Sequence, residues 1–333
     1  MTRVAINGFG RIGRMFFRAS YDDEEIEVVA INDIALDAQQ VAYLLKYDSV
    51  YGRFDHEVAH SDGCLRVDET EYRLLIERDP ASLPWGELEV DVVVESTGVF
   101  LEPKKASKHL EGGANRVLLS APAKGEVPTI VWGVNQSIYN PEEHRIVSIA
   151  SCTTNSLAPV AKVLNDEFTI EKGLITTIHA YTGGQNLVDG PAASWKKMTR
   201  ARAAAVNIVP TTTGAAIATT LALPELEGKM NGMAMRVPIP TGSVTDLVAK
   251  LGTSVTVEQV NEAFQRYAEG PMNGVLGVTD MPLVSSDIIG DPRSSVVSLS
   301  STMVIADDLV KVVTFYDNEW GYANRLVDVI KYL

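Results

Sequence analysis

The chain of 333 residues carries 43 acidic against 29 basic side chains, a net charge of -14, and 46% of its residues are hydrophobic. That length predicts two domains rather than one core, and the excess of negative charge opposes partnership with nucleic acid or an anionic membrane surface. Cys64 and Cys152 are the only cysteines, which excludes a disulfide framework and a clustered thiolate metal site; with no charged leader and no run of about 18 apolar residues, a cytoplasmic protein is expected.

From the N-terminus, strand-like apolar runs alternate with helical patterns. Val4-Asn7 precedes Met15-Arg18, Val28-Asn32 precedes Val41-Lys46, Val90-Glu95 precedes Lys104-Leu110, and Arg116-Ser120 follows. Continuous apolar strands separated by helices predict an α/β domain, a Rossmann-type, mostly parallel sheet covered on both faces. Cys64-Asp68 and Tyr72-Glu77 read as an antiparallel hairpin within it. After the strand Arg145-Ile149 the pattern changes. A long loop runs from about Thr182 to Arg202, and strands are expected at Gly232-Pro238, Ser243-Leu251, Val296-Ile305 and Leu309-Tyr316. These predict an α+β catalytic domain with an antiparallel sheet over residues 151–317, after a cofactor domain over 1–150. Trp320, Leu326, Val327 and Ile330 recur at helical spacing, so residues 318–333 should form a terminal helix.

Gly8-Phe9-Gly10-Arg11-Ile12-Gly13 follows the first strand and opens the first helix. Glycines there permit a tight turn and close approach of a pyrophosphate to the helix N-terminus. Asp33, ending the second strand, can accept hydrogen bonds from the adenosine ribose and repel a 2′-phosphate, which favours NAD over NADP. The plainer alternative is that Asn32-Asp33 merely ends a strand.

Cys152 in Ser151-Cys152-Thr153-Thr154-Asn155 falls where a strand passes into a helix. Unsatisfied N–H groups and the helix dipole there favour thiolate over thiol, whereas an ordinary thiol is only ~3% ionised at pH 7. A buried, inert cysteine is the alternative. A thiolate beside a nicotinamide points to addition to an aldehyde, loss of hydride from the hemithioacetal, and a thioester, with a base for the hydroxyl proton. Histidine suits that task. His56, His60, His109 and His144 lie in polar stretches and are expected at the surface, while His179 ends the apolar strand Leu174-Ile178, where it is either a base or a satisfied core residue.

With these residues in view, the chain resembles the phosphorylating glyceraldehyde-3-phosphate dehydrogenase family along nearly its whole length. The resemblance is carried by Ala5-Ile6-Asn7-Gly8-Phe9-Gly10-Arg11-Ile12-Gly13-Arg14, by Ser151 to Asn155, by His179-Ala180-Tyr181-Thr182, by Arg200-Ala201-Arg202-Ala203-Ala204-Ala205, by Pro210-Thr211-Thr212-Thr213-Gly214-Ala215-Ala216, and by Tyr316-Asp317-Asn318-Glu319-Trp320-Gly321-Tyr322. It implies oxidation of glyceraldehyde 3-phosphate to 1,3-bisphosphoglycerate with NAD and inorganic phosphate, through a thioester on Cys152 with His179 as base. By the same resemblance Ser151, Thr153, Thr213 and Gly214 bind the attacking phosphate with Arg200 close by, Thr182 and Arg236 hold the substrate phosphate, and Asn318 binds the nicotinamide carboxamide. A homotetramer is also implied, with the Thr182-Arg202 loop at a subunit interface and the terminal helix returning to the first domain.

Two departures and one further likeness stand out. Position 156 is serine where many relatives have a second cysteine, Gly184 stands where relatives often carry Asp or Thr, and Gly190-Pro191 looks like NAD-preferring relatives. Relatives with dual cofactor use can keep an acidic residue at the position of Asp33, so NADP use stays open. The rival functions are an erythrose-4-phosphate dehydrogenase and a catalytically idle nucleotide-binding scaffold.

Overall fold

A computed structural model describes residues 1–192 and 194–333. The chain divides into two compact units: residues 1–132, 136–150 and 323–333 form the first, and residues 133–135 and 151–322 the second.

The first unit contains β1 (Thr2–Asn7), α1 (Arg11–Ser20), β2 (Ile26–Asn32), α2 (Ala38–Lys46), β3 (Tyr47–Asp48), β4 (Gly52–Arg53), β5 (Val58–Ser61), β6 (Cys64–Val67), β7 (Thr70–Leu75), β8 (Val92–Glu95), α3 (Pro103–Ala106), α4 (Lys108–Glu111), β9 (Arg116–Leu119) and β10 (Ile146–Ser148). Eight of these strands form one sheet in the order β10-β9-β8-β1-β2-β7-β6-β5. Pairing is parallel from β10 to β7, and the β5-β6-β7 edge is antiparallel. The central strands are apolar throughout because both faces are covered: Val92, Val93 and Val94 of β8 and Val117, Leu118 and Leu119 of β9 are all buried. The helix expected over Lys104-Leu110 is two short ones, broken at Ser107, whose hydroxyl donates to the Lys104 carbonyl at 3.0 Å.

The second unit follows with α5 (Cys152–Phe168), β11 (Ile170–Ala180), β12 (Val209–Thr212), α6 (Ala215–Ala222), β13 (Met230–Val237), β14 (Ser243–Leu251), α7 (Val257–Glu269), β15 (Leu276–Thr279), β16 (Ser295–Ser298), β17 (Met303–Ile305) and β18 (Leu309–Tyr316). Its sheet has the order β12-β13-β11-β14-β18-β16-β15, with β17 on β18. Most pairings are antiparallel, but β11 with β13 and β15 with β16 are parallel, so the sheet is mixed. The single strand expected over Val296-Ile305 is interrupted by a 3-10 turn at Leu299–Ser301, tied by a 2.9 Å bond between the Ser298 and Ser301 hydroxyls.

Alternation along β11 places Ile175, Thr177 and His179 on a buried face and Leu174, Thr176 and Ile178 on the other. Helix α5 packs on the buried face, against β14 and β16 and beside α6 and α7. The closing helix α8 (Trp320–Tyr332) carries the chain end to the first unit. There Lys331 bridges Asp23 at 3.0 Å and Glu25 at 2.7 Å, and the rings of Trp132 and Tyr332 meet edge-on with centroids 5.3 Å apart.

Candidate active site

The glycine turn is built by close packing. Gly8 has φ +96°, and a Cβ there would lie 2.8 Å from the Thr97 nitrogen, while a Cβ on Gly13 would lie 2.2 Å from the Gly8 carbonyl oxygen. Gly10 caps α1 with no side-chain hydrogen bond, and a Cβ there meets nothing within 4 Å. No side chain thus covers the start of the helix at Gly10, which leaves room for a phosphate to approach its N-terminus. Asp33 clamps the turn: Oδ2 accepts from the Phe9 N–H and Oδ1 from the Ala35 N–H, both at 2.8 Å. These residues fit NAD. A cavity of about 550 Å³ is lined by Gly8, Gly10 and Asp33 together with Glu77, Arg78, Ser96, Thr97 and Phe100. The last five were not singled out from sequence, although Glu77 and Arg78 follow β7 and Ser96 and Thr97 follow β8, at the carboxyl ends of parallel strands where such ligands bind. The side chains of two expected contributors are engaged elsewhere: the Phe9 ring is buried in the core, and the Arg11 guanidinium pairs with Asp48 and lies 5.8 Å from the centre of the Tyr51 ring. Ile12 is half-buried in the first turn of α1.

His109, expected at the surface, is 0% exposed. Trp85 Nε1–H donates to its Nδ1 at 3.0 Å, so the ring proton sits on Nε2, which donates to Glu95 Oε2 at 3.1 Å. Asn7 Nδ2 donates to the same carboxylate oxygen at 2.6 Å, and the N–H and hydroxyl of Thr97 donate to the other. Burial is possible because the polar ring and carboxylate satisfy each other.

Cys152 is the first residue of α5, and Ser151 caps the helix by accepting the Thr154 N–H at 3.1 Å. Its Sγ lies 3.4 Å from His179 Nε2. His179 Nδ1 lies 2.7 Å from the Ala180 carbonyl oxygen and 2.9 Å from Arg236 Nη1; the shorter contact is to an atom that can only accept, and Arg236 has that same carbonyl to donate to, so the proton is assigned to Nδ1 and the Nε2 lone pair faces sulfur. The expected lowering of the thiol pKa is corrected by the packing. Burial pushes the Cys152 thiol up, and this outweighs the downward pulls of the Arg236 charge, the Thr153 side chain and the N–H groups of Thr153 and Cys152. Burial, then the charges of Arg236 and Arg200, pull His179 down to about 3 against the Ala180 contact. Separate ionisation of either group is therefore disfavoured. Transfer of the thiol proton to Nε2 differs, because it creates opposite charges 3.4 Å apart whose attraction offsets much of the cost; the two titrate as a pair.

Two guanidiniums flank this pair. Arg236 Nη1 donates to the Ala180 carbonyl at 2.9 Å, its Nε is buried with no hydrogen-bond partner among the described residues, and Arg200 Nη2 donates to the Thr212 carbonyl at 3.3 Å. Among the described residues neither has a carboxylate partner. Thr213 Oγ1 accepts the Ala215 N–H at 3.2 Å, and Gly214 opens α6, so this expected phosphate segment is a second helix start. Thr182 lies exposed just beyond β11. The Thr153 hydroxyl lies 2.8 Å from the Tyr316 hydroxyl, which is 3.0 Å from that of Thr177, and the same side chain also stabilises charge on the Cys152 sulfur. Asn318 is buried beside Asp317, whose Oδ1 accepts from the Glu319 and Trp320 N–H groups at 2.9 and 2.8 Å.

Among the described residues no group of three or more His, Cys, Asp or Glu side chains is placed to hold a metal ion, and no helix is long and apolar enough to cross a membrane. Residues 2–103 match the family model of the glyceraldehyde 3-phosphate dehydrogenase NAD binding domain, and residues 151–318 that of the same family's C-terminal domain. The chain is 54% identical to glyceraldehyde-3-phosphate dehydrogenase 2 of Streptomyces avermitilis over 328 residues, 98% of this chain and 97% of that protein. It is 55% identical to the glyceraldehyde-3-phosphate dehydrogenase of Streptomyces coelicolor over 98% of this chain and 97% of that one. Against the enzyme of Geobacillus stearothermophilus identity is also 55%, over 99% of this chain and 98% of the relative.

Proposed function

The chain belongs to the glyceraldehyde-3-phosphate dehydrogenase family, and from that premise we propose that Cys152 and His179 perform its chemistry, with Arg200 and Arg236 receiving the two phosphates. The activity is the NAD-dependent phosphorylating oxidation of glyceraldehyde 3-phosphate. NAD, held by the turn from Gly8 to Gly13 and by Asp33, supplies the hydride acceptor. Cys152 Sγ attacks the aldehyde carbon while Nε2 takes the thiol proton and returns one to the carbonyl oxygen, giving a hemithioacetal. The Cys152 N–H faces that oxygen as it gains charge. Nε2 then receives the hydroxyl proton as the carbon is oxidised to a thioester on Sγ. Inorganic phosphate adds to the thioester carbon, the C–S bond breaks, the sulfur leaves with the electron pair, and the product is 1,3-bisphosphoglycerate.

One observation supports this reading above the rest: two guanidiniums without carboxylate partners among the described residues stand beside a thiol–imidazole pair in a chain of net charge -14. Ser151, Thr153, Thr213 and Gly214 join Arg200 around the attacking phosphate through hydroxyls and helix-start N–H groups. Thr182 joins Arg236 around the substrate phosphate, and Asn318 binds the nicotinamide carboxamide. The decisive assay follows NADH formation from glyceraldehyde 3-phosphate with and without inorganic phosphate, and against NADP. Phosphate-independent turnover would overturn the reading. Equal or better catalytic efficiency on erythrose 4-phosphate would transfer the assignment to that substrate, and the absence of any NADH burst would make the chain a scaffold.

The assembly is a homotetramer in a reducing cytoplasm, a reading supported by two free cysteines and two separate apolar surfaces. One is the open face of the second sheet, with Leu174 66% exposed and Met233, Met303 and Ile305 exposed beside it. The other lies along the Thr182-Arg202 loop and beyond, with Leu187, Val188, Trp195, Val206 and Ile208 exposed. Such surfaces mark subunit contacts, and two self-complementary contacts on different faces close into a tetramer. Light scattering tests it: Leu174→Asp should halve the assembly, and a wild-type mass of one subunit would refute the arrangement.

A further inference from the structure

Ser243 opens β14, and its hydroxyl is buried with two partners. The Ala180 N–H donates to Oγ at 3.1 Å, and Oγ lies 2.8 Å from Asn318 Oδ1. A hydroxyl has a single proton to give. Since one lone pair already accepts from Ala180, that proton is satisfied in this buried setting only by donation to an acceptor, and Asn318 supplies the one within reach. The donation decides which way the Asn318 amide faces: Oδ1 is held against Ser243, and Nδ2, which has no partner among the described residues, is left as a directed donor.

The same serine touches the reacting machinery at a second point. Ala180, whose N–H Ser243 receives, also offers its carbonyl oxygen to His179 Nδ1 at 2.7 Å and to Arg236 Nη1 at 2.9 Å. One residue's backbone thus ties the base, the phosphate arginine and, through Ser243, the amide of Asn318 into a single frame. We infer that Ser243 is a positioning residue for the nicotinamide: it fixes the Asn318 amide so that Nδ2 meets the carboxamide oxygen and holds one face of the ring toward the substrate. This rests on the assignment of Asn318 to the carboxamide.

The test uses the full-length protein as Ser243→Ala, Ser243→Cys, Asn318→Ala and the Ser243→Ala/Asn318→Ala double variant. NAD affinity is measured by calorimetry without substrate, and the ring face receiving deuteride is read by NMR with C1-deuterated aldehyde. Removing one directing hydrogen bond should weaken NAD binding about 3- to 10-fold in Ser243→Ala. It should also produce opposite-face product that the parent does not make. In the Asn318→Ala background the serine substitution should cost nothing further, since the group it directs is gone. Ser243→Cys, close in size but a weak donor, should fall between parent and alanine, and it serves if the alanine variant folds poorly. A lowered melting temperature with unchanged NAD affinity and single-face transfer would overturn the inference while leaving Asn318 in its role. Unchanged behaviour of Asn318→Ala would overturn both.

Discussion

Two buried histidines, His109 at 0% and His179 at 3% exposure, teach opposite lessons about what burial means. In the first unit both nitrogens of His109 are consumed, Nδ1 by Trp85 and Nε2 by Glu95, and the carboxylate it meets is filled by Asn7 and Thr97. Every donor finds an acceptor, so the cluster has nothing left to offer a substrate; its work is to fix Thr97 and Asn7 in the lining of the cofactor cavity. His179 in the second unit is half satisfied. The Ala180 carbonyl takes the Nδ1 proton, and the remaining lone pair faces a thiol 3.4 Å away. Chemistry resides where the hydrogen-bond count is left incomplete.

The contrast is sharpened most by removing the sulfur. Cys152→Ser should abolish phosphate-dependent NADH formation while NAD binding persists, and calorimetry with a coupled assay on the same sample checks both; residual activity near the parent value would end the covalent route. Next in size, His179→Asn should slow acylation about 10²- to 10⁴-fold in rapid-quench measurements, the range for loss of a general base. A loss below threefold would assign the proton to another group.

Glu95→Gln should do the reverse in the other unit. It places an amide donor against the Thr97, Asn7 and His109 donors, and should cost about 2–4 kcal/mol in urea unfolding. Turnover at saturating NAD should stay within a few-fold; a large fall in kcat with unchanged stability would break the comparison.

A pH dependence of stability, comparable in size but without effect on turnover at neutral pH, completes the comparison. The folded pKa of His179 is drawn from 6.5 down to about 3, so between those values the unfolded chain binds a proton that the folded one does not. Its contribution to stability is complete above about pH 6.5 and is lost as pH falls toward 3, at up to about 1.4 kcal/mol per pH unit. Compared with His179→Asn, the parent's urea midpoint should therefore drop more steeply between pH 7 and 4, and parallel curves would contradict the burial argument.

What could be read from the residues alone followed how local each signal was. The strands Ser243-Leu251 and Leu309-Tyr316 occur with the predicted bounds because period-two alternation over a half-covered sheet is written along one segment. The turn from Gly8 to Gly13 and the place of Cys152 at a helix start were equally local. His109 was misplaced because its chain neighbours Lys108 and Glu111 are polar, while the partners that permit its burial, Trp85, Glu95 and Asn7, come from other segments. The contact of the Thr153 hydroxyl with Tyr316 was missed for the same cause, since Tyr316 lies 163 positions away. For the Cys152 thiol the helix-start argument named a true effect but missed the larger opposing one, because desolvation depends on everything that surrounds the sulfur.

Ala180 carries a lesson for anyone mapping this enzyme by saturation mutagenesis. Its methyl group is sealed in the interior, so a library at this codon would report only how much room surrounds a side chain. The groups that matter there are main-chain atoms, a carbonyl common to all amino acids and an N–H common to all but proline, and other substitutions leave both in place. Replacing the 179–180 amide by an ester through semisynthesis would remove that N–H without imposing a proline ring, and so expose its role in isolation.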